Sequence, residues 1–212
     1  MQARGRFITF EGIDGSGKTT QMRRLAERLR RQGRTVLETV EPGGTAVGAQ
    51  IRRILLDSRN TELRPIAELL LYFASRAQNI EQCILPALSA GTIVLCDRFT
   101  DSTLAYQGYA RGLGEAAVLT LDRIACRGLQ PDLTILIDVD LETGLARARA
   151  RNLDAEDAET RMDDQALEFH RKVRDAYLKI AAQNAGRFRV VDGRGSPEAV
   201  AEKVWEHVAP YV

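Results

Sequence analysis

FITFEGIDGSGKTT, Phe7 to Thr20, decides the fold. Phe7 to Phe10 is a short apolar run of strand type, and the residues after Thr19 have helical period, with Met22, Leu25 and Leu29 on one stripe and Gly33 as a stop. Between them GIDGSGKT, Gly12 to Thr19, matches G-x-x-x-x-G-K-[ST] in full, with strand, loop and helix in register. Gly12, Gly15 and Gly17 let the backbone fold tightly, so that N–H groups converge on phosphate oxygens beside a positive helix N-terminus. Lys18 adds a point charge for the outer phosphates, and Thr19 a hydroxyl for Mg²⁺. The run Gly12, Ile13, Asp14, Gly15, Ser16, Gly17, Lys18, Thr19 and Thr20 is therefore the expected cradle for ATP or GTP.

Working outward, four further strand-type runs follow: Val36 to Val40, Ile93 to Cys96, Leu133 to Val139 and Phe188 to Val191. Helical patterns alternate with them at Val47 to Leu56, Ile66 to Leu88, Glu115 to Cys126, Glu142 to Arg149, Asp164 to Asn184 and Pro197 to Val208. This alternation predicts a P-loop NTPase-type α/β fold: a five-stranded parallel sheet between helical layers, with ligands beyond the strand carboxyl ends. Ile66 to Leu88 is apolar on several sides, so it is expected to cross the buried middle. Residues 1–212 are expected to form one domain.

The 30 Lys plus Arg nearly balance 29 Asp plus Glu, which excludes a global field for nucleic acid or an anionic membrane. No apolar run reaches the ~20 residues of a membrane span, and no signal-type segment precedes the first strand, so a cytoplasmic protein is expected. Cys83, Cys96 and Cys126 have no metal or disulfide spacing and read as reduced, buried small hydrophobes. His170 and His207 stand alone in polar helical segments and are expected at the surface. The stretch Arg147 to Arg161, RARARNLDAEDAETR, is too charged to bury itself and reads as a solvated loop.

TIVLCD ends on Asp97, the expected second metal partner of Thr19, and Asp14 is the alternative inside the loop. N-K-x-D is absent from DLTILIDVD and FRVVDGRG, which disfavours a signalling GTPase. Three clusters suit an anionic planar acceptor: EPGGT from Glu41 with Arg52 downstream, YFASRAQ from Tyr72, and DRFTDSTLAYQGYARG from Asp97. Arg52, Arg76, Arg98 and Arg111 form a candidate phosphate cradle, because guanidinium groups clamp phosphate in two-pronged fashion. Tyr72 or Phe73 offers a ring for a base, while Thr103, Tyr106 and Gln107 offer groups for its edge.

At FEGIDGSGKTT, EPGGT, ASRAQ, DRF…DSTLAYQGYARG and PDLTILIDV, in that order and spacing, the chain resembles the bacterial thymidylate kinases over nearly its whole length. The resemblance implies transfer of the γ-phosphoryl of ATP to dTMP, giving dTDP and ADP for dTTP synthesis, with Mg²⁺, in a homodimer formed through helices. It implies that Arg98 and Arg52 contact the acceptor phosphate and that Arg76 bonds a thymine oxygen. Thr103 and Gln107 then read the base edge, Tyr106 crowds the sugar, and Glu41 and Ser102 belong to the acceptor site. The ring one helical turn before the arginine is Tyr72, with Phe73 beside it as the alternative.

Residues 147–163 would form a mobile lid, with Arg149, Arg151 and Arg161 as candidates for the transition-state cation because GIDGSG carries no arginine. Val40 and the run Thr160 to Asp163 depart from the family's usual arginine and D-R-x-E. Two rivals stand beside this reading: a kinase of another monophosphate, and a nucleotide-dependent switch without turnover.

Overall fold

The computed structural model describes residues 4–153, 161–162 and 165–212. Its strands are β1 (Phe7–Glu11), β2 (Val36–Val40), β3 (Ile93–Asp97), β4 (Leu133–Asp138) and β5 (Phe188–Asp192). They form one five-stranded sheet in the order β2-β3-β1-β4-β5, and every pairing is parallel. β1, rich in apolar residues and buried at every position, lies at the centre, as an internal parallel strand must. Its register sets Phe10 against Asp97 and Glu11 against Leu136. The loop leaving β1 therefore opens beside the end of β3.

Strand side chains alternate between two cores. On one side Ile8, Phe10, Leu95 and Ile137 pack with Leu25 and Leu29 of α1 (Lys18–Arg31) and Val200 and Val204 of α9 (Pro197–Val208). On the other side Phe7, Val94, Cys96 and Leu136 pack with Leu55 of α2 (Ala46–Leu56), Phe73 of α3 (Pro65–Asn79) and Val118 of α6 (Glu115–Ala125). Tyr177 of α8 (Leu167–Gln183) completes this second core. The caps follow local chemistry: Thr45 Oγ1 accepts from Gly48 N at 2.9 Å ahead of α2, and Ser196 Oγ from Ala199 N at 3.2 Å ahead of α9, where Pro197 opens the first turn.

The long pattern expected from Ile66 to Leu88 is continuous but not uniform. α3 runs into a π-helical turn, Ile80–Ile84, and then α4, Leu85–Ser89. Pro86 has no N–H to give to the preceding turn, and the widened turn just before it absorbs that mismatch. A second π-helical stretch, Leu104–Ala110, follows the short α5, Thr100–Thr103. α7 spans Leu141–Leu153, and much of the expected lid beyond it lies outside the described residues.

Three expectations change. The start of the charged stretch read as a solvated loop from Arg147 to Arg161 continues α7 to Leu153, and its end, Arg161, is buried because Glu68 and the Leu55 carbonyl receive its guanidinium. His170 is 2% exposed on the inner side of α8, edge-on to Phe169, because α8 buries a full stripe against the π-helical stretch. Cys83 is only half-buried, whereas Cys96 and Cys126 are buried. Among the described residues, no helix is long and apolar enough to cross a membrane.

Candidate active site

The phosphate loop leaves β1 at Glu11, and α1 begins at Lys18 with Gly17 (φ 94°) at its cap, a conformation that glycine adopts without strain. The loop is pressed against α7. A Cβ on Gly15 would lie 1.9 Å from the Gly144 carbonyl oxygen, and one on Gly144 would lie 2.7 Å from Ile13 Cδ1. The loop is therefore held from the side by the start of the lid helix as well as by the sheet. Arg147, one turn further along α7, donates to the Gly193 carbonyl at 3.3 Å, so α7 also spans the loop after β5.

Thr19 donates its hydroxyl to Asp97 Oδ2, while Asp97 Oδ1 is buried and accepts from no group among the described residues. A hydroxyl and a carboxylate side by side at the mouth of a phosphate loop are the hard oxygen donors that Mg²⁺ takes together with phosphate oxygens. The donor set fits that ion. Asp14, the alternative ligand, is occupied elsewhere: Oδ1 accepts from Arg98 Nη2 at 2.6 Å and Oδ2 from the Tyr106 hydroxyl at 2.9 Å. Burial raises its pKa, but Arg98 and Lys18 more than offset that and hold it below the ordinary carboxylate range.

Arg98 follows β3 with φ 70°, a left-handed conformation unusual for a residue with a side chain, and its N–H donates to the Phe10 carbonyl at 2.9 Å. Its guanidinium donates to the Gly12 carbonyl at 3.2 Å, Ser102 Oγ at 3.1 Å, the Tyr177 hydroxyl at 3.0 Å and the Tyr106 hydroxyl at 3.2 Å. Burial works against the cation, yet Tyr106, Asp14 and Tyr177 outweigh it and raise its pKa well above the ordinary value. Behind it Glu11, fully buried, accepts from Ser102 Oγ at 2.5 Å, the Tyr177 hydroxyl at 3.1 Å and the Phe99 N–H at 2.7 Å. Burial pushes the Glu11 carboxyl up to about 7, with Asp101 adding to the effect.

Arg76 is 1% exposed. Its guanidinium lies over the rings of Phe73 and Phe99 at 5.0 and 5.1 Å. Its Nη2 donates to Thr103 Oγ1 at 2.9 Å and to the Phe99 carbonyl at 3.2 Å, while Nε and Nη1 are buried with no hydrogen-bond acceptor among the described residues. Glu41 Oε2 is 3.8 Å from Nε, Asn79 donates to Glu41 Oε1 at 2.6 Å, and burial raises the Glu41 carboxyl to about 7. Phe73, 4% exposed, is thus the platform under Arg76. Tyr72 is half-buried, and burial followed by the Glu68 charge pushes its phenol up to about 12. Arg52 donates to the Pro42 carbonyl at 3.0 Å, in the turn that Glu41 begins.

The lid candidates separate. Arg149 is exposed on α7, and the Arg151 side chain lies outside the described residues. Arg161 is 8% exposed; its Nε donates to the Leu55 carbonyl and its Nη2 to Glu68 Oε2 at 2.7 Å, so it is docked between α2 and α3. Arg111 also turns to Glu68, at 3.4 Å, instead of joining Arg98 and Arg76 in a cradle.

Glu11, Tyr177 and Glu68 escaped sequence reasoning. Glu11 carried a weak signal, an acid closing the apolar FITF run; Tyr177 and Glu68 sit in helices whose periodicity says only that one face is buried.

The sequence profile of the thymidylate kinase family matches residues 10–204. The thymidylate kinase of Pelobacter propionicus is 53% identical over 201 residues, covering 94% of this chain and 92% of that protein. The thymidylate kinase of Trichlorobacter lovleyi is 50% identical over 204 residues, covering 95% and 96% of the two chains. The crystal structure of thymidylate kinase from Ehrlichia chaffeensis is similar at a TM-score of 0.79 and 34% identity, over 97% of this chain and 99% of that one. Family profile, relatives and solved structure agree along almost the full length, and the chain belongs to the thymidylate kinase family.

Proposed function

We propose that this protein transfers the γ-phosphoryl group of ATP to dTMP, giving dTDP and ADP. The observation that carries the reading is the placement of two guanidinium groups at adjoining ends of β3 and α3. Arg98 is fixed beside the phosphate loop, and Arg76 is buried with unused donors beside Thr103. An acceptor bound between them sets its phosphate toward the loop and a base carbonyl toward Arg76.

The acceptor phosphate is itself the nucleophile, so no strong general base is needed, and the chain's work is alignment and charge neutralisation. Lys18 and the loop N–H groups hold the ATP phosphates, while Arg98 draws the acceptor phosphate toward them. Mg²⁺, when bound by Thr19 and Asp97, neutralises charge on the phosphates. Asp14 and Tyr106 steady Arg98 and wall the sugar side; Tyr72 is the ring available to stack on the base, since Phe73 lies under Arg76. Arg149, exposed on α7, is the lid arginine we assign to the transferred phosphoryl, with Arg151 as the second candidate; Arg161 in its docked position anchors the lid's far end.

We further read the chain as one cytoplasmic domain that works as a homodimer. α2, α3 and α6 pack side by side and leave Val47, Ile54, Ile66, Leu70, Leu119 and Ile124 exposed, more apolar surface than a lone helical layer normally shows water. A coupled ADP-release assay with ATP and Mg²⁺ tests the function, offering dTMP, dUMP, UMP, dCMP and dGMP in turn. Turnover led by dTMP is expected; turnover led by another nucleotide would sink the acceptor assignment, and ATP binding without transfer would favour a switch.

A further inference from the structure

Glu68 takes no part in the chemistry above, yet it is among the most completely enclosed acids of the chain. It sits in the first turn of α3 with 1% of its side chain exposed. Burying a carboxylate is costly unless its oxygens are met by donors, and here they are met from two other segments. Gln107 Nε2, from the π-helical stretch, donates to Oε1 at 2.8 Å, and Arg161 Nη2 donates to Oε2 at 2.7 Å. Arg111 approaches both oxygens, Nε to Oε1 and Nη2 to Oε2, at 3.4 Å.

The Gln107 contact has a chemical consequence. A primary amide has a donor end and an acceptor end that differ little in shape, and its neighbours decide which way it faces. A carboxylate offers only acceptors, so Gln107 must present its NH₂ to Glu68 and turn its carbonyl the other way. Among the described residues no donor meets that carbonyl oxygen. One helical turn earlier, at the end of α5, lies Thr103, whose hydroxyl oxygen accepts from Arg76. Arg76 donors meet Thr103 and the Gln107 amide lies one helical turn beyond Thr103, so a base edge that spans Thr103 would find guanidinium donors on one side and the Gln107 carbonyl on the other. A thymine or uracil ring matches this with a carbonyl next to a ring N–H. Cytosine presents the reverse, an amino group next to a bare ring nitrogen.

We propose that Glu68 is a specificity-positioning residue, which locks the Gln107 amide with its carbonyl toward the acceptor base so that the site takes an imide edge and rejects the amino edge of cytosine. The inference rests on the acceptor pocket as read above. Glu68 touches no substrate; it acts through Gln107, and through Arg161 it ties the same carboxylate to the far end of the lid.

The test is a double-mutant cycle in the full-length enzyme, reading kcat and KM for dTMP, dCMP and ATP. Glu68→Gln removes the constraint, because a second amide at 68 can donate as well as accept and leaves Gln107 free to turn over. It is expected to raise KM for dTMP and to narrow the dTMP-to-dCMP ratio of kcat/KM about tenfold, with kcat for dTMP and KM for ATP little changed. Gln107→Leu is expected to narrow the ratio as well, and adding Glu68→Gln to it should narrow the ratio no further. Glu68→Asp keeps the charge and should retain more discrimination than Glu68→Gln, which serves if the latter folds poorly. A narrowed ratio in Gln107→Leu but not in Glu68→Gln would overturn the role of Glu68 and leave the pocket intact. An unchanged ratio in both would overturn the pocket reading and this inference together. Parallel loss of kcat, of ATP affinity and of thermal stability in Glu68→Gln would show a structural prop instead.

Discussion

Arg98 holds a backbone conformation that costs about 1–2 kcal/mol for a residue with a Cβ, and its neighbours hold it there. The cost is offset by a guanidinium whose donors meet Gly12, Ser102, Tyr177, Asp14 and Tyr106. Arg98→Ala should therefore lower kcat/KM for dTMP by about 10²-fold or more, with the ATP dissociation constant within about threefold; titration of a fluorescent ATP analogue beside steady-state kinetics checks the split. Equal loss on both substrates would remove Arg98 from the acceptor site. Its identity could be read from D-R-F, but its bonds to Asp14 and Tyr106 could not, because they join residues 84 and 8 positions apart. Asp14 was for that reason legible as a loop residue and open as a metal ligand.

The buried acids make a separate prediction. Glu11 and Glu41 are both pushed from 4.5 to about 7, chiefly by burial. In the folded chain each keeps its proton through a range where the unfolded chain has lost it. Their contribution to stability is fully present below the unfolded value and is lost as pH rises through about 7. Glu41→Gln should flatten the fall in urea midpoint between about pH 5 and pH 7.5. An unchanged slope would mean that Glu41 is ionised in the fold throughout that window.

At the scale of elements, the phosphate loop and α7 are one packed unit. Gly144 sits where a Cβ would meet Ile13 Cδ1 at 2.7 Å and the Asp14 carbonyl oxygen at 2.9 Å. Gly144→Ala should push α7 off the loop, cost about 1–3 kcal/mol and lower Tm by about 2–4 °C for each kcal/mol in a chain of this length. KM for ATP should rise more than KM for dTMP; the reverse order would place α7 on the acceptor side. Strands were the most legible elements, since buried parallel strands are short, unbroken apolar runs, as IVLCD and LTILID are. The π-helical turns were not legible. Apolar periodicity over Ile66 to Leu88 looks the same whether a turn holds one more residue or not, and only Pro86 marked the place. The polar flanks of His170 hide the fact that α8 turns this position inward.

Across the whole molecule, β1 at the centre of the sheet places the phosphate loop between β3 and β4, so one end of the sheet collects Lys18, Thr19, Asp97 and Arg98. That gathering was legible because it follows from strand order and motif alone. The rear wall of Glu11 and Tyr177, and the separate cluster of Glu68 with Gln107 and Arg161, were not, because helix packing brings them together and a single sequence does not display packing angles. The apolar residues left open on α2, α3 and α6 predict that Ile66→Glu with Leu70→Glu gives a monomer by light scattering where the parent gives a dimer. A parent that is already monomeric would refute that surface as the dimer contact.

The central claim is that Arg98, beside the phosphate loop, and Arg76, buried beside Thr103, select dTMP as the acceptor. It is tested most directly by competition: limiting ATP with Mg²⁺ and an equimolar mixture of dTMP, dUMP, UMP, dCMP and dGMP, with the diphosphates separated by chromatography at early times. The account predicts dTDP as the main product, with dCDP and UDP at trace level. A mixture led by dCDP or UDP, or ATP consumed with no diphosphate formed, would contradict it.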